Sequence, residues 1–131
     1  MPRIRLRYLA LAVTTIVIGL AVHWGAATMS PSARDVVGDA LWAAMIVWLV
    51  SAAAPAARLA TRSAAALAVC VAVELSQLYH APALDALRGT TGGRLVLGSG
   101  FDPRDLVAYA GGVLAAAVVD RTWRAKAHRT S

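Results

Sequence analysis

Apolar positions fall in four long runs, at about residues 8–28, 36–54, 63–79 and 105–119, with short polar segments between them. Each run approaches the roughly 20 apolar residues that a helix needs to cross a hydrocarbon layer about 30 Å thick. The pattern predicts an all-α fold: a four-helix transmembrane bundle forming a single integral membrane domain over residues 1–131. The first run follows a basic start, Met1–Arg7, and a secretory signal also begins that way. Such a signal has a shorter apolar core, about 7–15 residues, and a small-residue cleavage site. AVHWGAAT at the end of this run is a poor one, so the run reads as an uncleaved first span.

The connections carry helix punctuation. Ser32-x-x-Asp35 has capping-box spacing and Pro31 suits a first turn, so the second helix starts there. Pro55–Arg62 is a short turn. Pro82–Arg88 has the length of two helical turns and ends at Gly89. Thr90–Gly93 and Gly98–Gly100 read as turns around Leu95–Leu97, a piece too short to span and suited to the interface. Asp102 then serves as N-cap, Pro103 takes the first helical position, and Asp105 lies in the first turn of the fourth span.

Composition agrees: 59% of residues are hydrophobic, 15% are charged, and mean hydropathy is +0.62. Soluble domains carry about 25% charged residues. The net charge of +6 raises nucleic acid as a partner. A nucleic-acid footprint needs clustered charge, and here the basic residues sit in the gaps between apolar runs, which excludes it. Nine of them (Arg3, Arg5, Arg7, Arg58, Arg62, Arg121, Arg124, Lys126 and Arg129) fall on one side of the layer. Four (Arg34, Arg88, Arg94 and Arg104) fall on the other, accompanied by Asp35, Asp85 and Asp102. Positive charge in short loops marks the cytoplasmic side, so both termini are expected there. Cys70 lies alone in mid-span and reads as a small buried hydrophobe.

Candidate chemistry gathers opposite the termini. Glu74 and Gln77 share a helix face inside the third span. An intramembrane charge costs roughly 2.5–3.5 kcal/mol on insertion scales and is functional by default. Either this carboxylate serves a ligand or a proton, or it clamps the helices through Arg88, Tyr109 or a backbone carbonyl. Asp85 and Arg88 are i,i+3 neighbours; Arg88 can fold to Glu74 or present a guanidinium fork to an anionic group. Asp105 and Tyr109 lie one turn apart at the start of the fourth span, and Asp39 near the start of the second. The expected ligand-binding set is therefore Glu74, Gln77, Arg88, Asp105, Tyr109, Asp39 and Asp85. His80 lacks the partners of a zinc motif, and the glycine-rich loop lacks the phosphate-binding lysine. No metal and no cofactor is expected, and nothing here requires catalysis. Ala108, Gly111, Gly112, Ala115 and Ala116 form a small-residue stripe. It suits close packing inside the bundle, against a second copy, or against a partner membrane protein.

GDALWA at 38–43, ELSQLYHAPALDALRGT at 74–90, LVLGSGF at 95–101 and DLVAYAGG at 105–112, taken in this order, resemble the small bacterial membrane proteins of domain of unknown function 2809, sometimes labelled YjgA-like. That resemblance implies a multi-pass protein of the bacterial cytoplasmic membrane and assigns no activity. A fainter likeness is to VanZ-like membrane proteins, linked to glycopeptide resistance. Glu74 and Gln77 match their Glu-x-x-Gln, and Phe101, Asp102, Asp105 and Gly112 match their acidic helix start. Tyr109 stands where that family has Asn. Three functions follow as expectations. The first is a site for an envelope lipid headgroup or small polar ligand at the outer leaflet. The second is a structural or accessory subunit whose polar residues only lock packing. The third is a proton-coupled transporter, which four unbroken spans support least.

Overall fold

A computed structural model describes residues 2–25, 27–98 and 100–130. Among these residues six helices follow one another: α1 (Pro2–Gly25), α2 (Pro31–Ala53), α3 (Leu59–Ser76), α4 (Pro82–Arg88), α5 (Thr91–Leu97) and α6 (Pro103–Arg129). No strand occurs among the described residues. By length and apolar composition α1, α2, α3 and α6 are long enough to cross a membrane. The all-α, four-span reading stands.

The boundaries differ from those expected. α1 takes in Arg3, Arg5 and Arg7, and α6 runs past the expected end of the fourth span at 119 to Arg129. Ala, Arg and Lys are strong helix formers, so charge alone does not end a helix. With 27 residues, α6 is about 40 Å long and overhangs a 30 Å layer. α3 begins four residues early, which moves Arg62 from a loop into the helix. The cap of α2 is Ser30, whose hydroxyl accepts from the Ala33 N–H at 3.2 Å; Ser32 and Asp35 fall inside the helix. Pro31 does open it, because a first-turn residue needs no N–H partner. Thr90–Gly93 is not a turn. The Thr90 hydroxyl accepts from the Gly93 N–H at 3.0 Å and starts α5, so Leu95–Leu97 is helical.

α2 is the centre of the bundle, packing against α1, α3 and α6, and α3 also packs against α6. The helices alternate in direction, so α2 and α6 run parallel. Their approach is set by Gly112: a Cβ there would overlap the Ala40 carbonyl oxygen and lie 2.8 Å from its carbon. Within the expected stripe, Ala108, Gly112 and Ala116 face inward, whereas Gly111 and Ala115 are exposed. Large apolar side chains such as Val13, Val17, Val107 and Leu114 cover the outside, each more than half exposed. Water would penalise that surface and lipid does not. The buried side chains fall into an apolar middle (Ala43, Val47, Ala66, Cys70, Val113) between two polar clusters. One lies at the end that carries both termini, the other at the loop end.

Candidate functional site

At the loop end, Glu74 is fully buried and both its oxygens are used. Oε1 accepts from the Asp102 backbone N–H at 2.8 Å, and Oε2 accepts from the Tyr109 hydroxyl at 2.9 Å. One carboxylate thus fastens α3 to the first turns of α6. It takes up a backbone donor at the helix start, where the helix dipole favours negative charge. Asp39 of α2 and Asp105 of α6 bring their carboxyl groups together. The Trp42 ring lies 5.8 Å from that of Tyr109. Asp39, Glu74, Asp105 and Tyr109, from three helices, therefore meet at one level.

Gln77, one turn beyond Glu74, is 4% exposed. Its Nε2 donates to the Leu97 carbonyl at 2.8 Å, while its Oε1 is buried without a hydrogen-bond partner among the described residues. Gly98 crosses tightly over this amide with φ +75°, a conformation and a closeness that only glycine allows.

Arg88 lies elsewhere. Its guanidinium donates to the Ser76 carbonyl at 2.7 Å and the Tyr79 carbonyl at 2.9 Å, and touches Asp85 at 3.4 Å. Of the two courses open to it, the reach to Glu74 is not made, because the unsatisfied carbonyls at the end of α3 stand closer and need donors. Asp85 is half exposed, shared between Arg88 and His80. Asp102 caps α6 through the Arg104 N–H at 3.0 Å, as its spacing predicted. The hydrogen bond from the Arg104 side chain holds the Asp102 carboxyl below the usual carboxylate range.

Beside these residues opens a cleft of about 950 Å³ between α1, α2, α5 and the start of α6. Thr15, Ile16, Gly19 and Met45 line its inner part; Trp42, Tyr109, Asp39, Asp105 and Gln77 line its middle; Arg34, Arg94 and His23 lie toward its loop-end mouth. Neither Glu74 nor Arg88 lines it.

The cluster at the termini end went unread in the sequence. Asp120, 1% exposed, receives the Tyr8 hydroxyl at 2.5 Å and Arg62 Nη2 at 3.0 Å. Arg62 also donates to Tyr8 at 3.1 Å, Ser51 at 2.7 Å and the Ala57 carbonyl at 3.1 Å. Arg124 completes it from the rim, donating to Tyr8 at 2.6 Å and the Pro55 carbonyl at 3.2 Å. All four spans contribute, and every polar group of Arg62 is engaged. The available signal was Asp120 itself, the one acid among nine cations at that end and one turn before Arg124.

Fold and surface define a small, multi-pass, all-helical membrane protein with a polar cleft at one end. The family model "Protein of unknown function (DUF2809)" matches residues 28–113, about two thirds of the chain, and the chain belongs to that family. No solved structure matches it. The match begins at the start of α2 and ends in α6, so it takes in the whole loop-end cluster.

Proposed function

We propose that the loop-end cleft binds an amphiphile, an envelope lipid or a small polar ligand with an apolar part. An orphaned acceptor on the wall of an amphipathic cleft carries this reading; Ser63 Oγ and Arg88 Nε are also buried without a partner among the described residues, but neither lines that cleft. At the termini end the buried polar groups of Arg62 and Asp120 are satisfied by protein. At the loop end Gln77 keeps a buried oxygen unpartnered, beside a cleft that runs from apolar residues to carboxylates. A buried polar atom without a partner costs about 1–3 kcal/mol, which a ligand donor would recover. In this reading Asp39, Asp105, Gln77 and Tyr109 contact the ligand. Glu74 positions Tyr109 and the start of α6, the clamp role foreseen as its alternative. Arg88 and Asp85 hold the end of α3. The nine-to-four distribution of Lys and Arg supports a cytoplasmic location for both termini, with the cleft facing the outer leaflet of the bacterial cytoplasmic membrane.

Gly19 lines the cleft, and a Cβ there meets nothing within 4 Å. Gly19→Phe should fill the cleft without disturbing the bundle. Native mass spectrometry of protein purified from membranes should find bound lipid on the wild type and little on Gly19→Phe. Equal lipid on both would refute the cleft as the site.

A further inference from the structure

Resting on that reading, the geometry points to the class of ligand: an amphiphile whose apolar chain ends directly in a primary ammonium group, seated on the Asp39–Asp105 pair. Order along the cleft is the first argument. Moving from the middle of the bundle toward the loop end, the lining is apolar at Ile16 and Met45, acidic at Asp39 and Asp105, and only then cationic at Arg34 and Arg94. Arg34 stands five residues before Asp39 on α2, about 7 Å nearer the mouth. A chain lying in the apolar part therefore meets carboxyl groups before it meets any guanidinium. A phosphate or carboxylate at that junction would face two acids and lack a cation at its own level.

Hydrogen-bond supply is the second argument, and it is independent of charge. Gln77 Oε1 is an acceptor with no donor among the described residues, on a side chain nine-tenths buried that lines the same cleft. Asp39 and Asp105 bring carboxyl oxygens, which accept, to the same wall. All three want donors, and a primary ammonium brings three N–H bonds and a charge. The ammonium sits between the two carboxyl groups, where its charge and its donors meet their oxygens. Trp42 and Tyr109 present aromatic rings on the same wall, which favour a cation further. A quaternary ammonium would have the charge without the donors.

The test uses the purified full chain in an uncharged detergent, with hexadecylamine, hexadecanol and hexadecanoate as probes of equal chain length, bound ligand being counted by native mass spectrometry. The wild type should retain the amine about tenfold or more over the other two. Asp39→Asn with Asp105→Asn keeps the shapes and should erase that preference, while Gly19→Phe should lower retention of all three. Equal retention of the three probes on the wild type, blocked by Gly19→Phe, would overturn the ammonium assignment and leave the cleft reading standing. Amine preference surviving in the double Asn variant would overturn it as well. No retention of any probe by the wild type would overturn both. Folding of each variant is checked by the protection of Cys70, which is fully buried.

Discussion

Gly112 offers the sharpest test of the packing that builds the site. A Cβ at this position would overlap the Ala40 carbonyl oxygen and lie 2.8 Å from both the carbonyl carbon and Cα of Ala40. Optimal carbon–carbon separation is about 3.5–4.0 Å, so Gly112→Ala must push α6 from α2 by about 1 Å. Overpacking of that kind costs about 1–3 kcal/mol. Ala also gains about 1 kcal/mol over Gly in helix propensity, which partly hides the clash. Gly111 removes the ambiguity: it is exposed, and a Cβ there meets nothing within 4 Å. Gly111→Ala carries the same propensity gain and no clash, so the difference between the two variants isolates the helix contact. Because Cys70 is the chain's one cysteine and is fully buried, a thiol-reactive dye added during a thermal ramp in detergent reports unfolding directly. Gly111→Ala should melt at or above the wild type, and Gly112→Ala below Gly111→Ala by the equivalent of about 1–3 kcal/mol. A Gly112→Ala melt at or above that of Gly111→Ala would refute the close α2–α6 approach.

At the termini end, Asp120→Ala leaves Arg62 buried without its counter-ion and should cost about 3–5 kcal/mol. The double variant Arg62→Met with Asp120→Leu should lose less than Asp120→Ala alone, and a larger loss in the same dye assay would show that the ion pair is not what the site depends on. At the loop end, Glu74→Gln retains an oxygen for the Asp102 N–H and an amide for the Tyr109 oxygen, so it should accumulate and melt near the wild type. Glu74→Leu orphans two donors at about 1–3 kcal/mol each and should melt well below it; equal melting of the two variants would refute the clamp.

Span number and the helix starts at Pro31 and Pro103 were legible because they rest on local signals: apolar run length, a cap, a proline. The gathering of Glu74, Asp105, Tyr109 and Asp39 was also legible, since each sits at a similar depth along its own helix. Partner choice was legible only in part. Of the clamp partners open to Glu74, Tyr109 is found, whereas Arg88 turns to the carbonyls of Ser76 and Tyr79, which lie within its reach and need donors. The Tyr8–Arg62–Asp120 cluster was missed because Arg62 was counted as a loop charge and Asp120 fell just past the expected end of the fourth span, and a shift of a few residues in two helix boundaries conceals a buried ion pair. Nor does any periodicity report that Gln77 Oε1 would be left without a partner, since that depends on where the Leu97 carbonyl and Gly98 come to rest.

α1 has α2 as its extended neighbour and is otherwise fastened at Tyr8, near its start. A rod pinned at one end moves most at the other. His23, fifteen residues on, is about 22 Å from the pin, so a tilt of about 5° would carry it about 2 Å sideways. The cleft is thus hung on a lever whose fulcrum lies across the membrane from its mouth, and modest leaning of one rod would change its width while the α2–α3–α6 trio stays still.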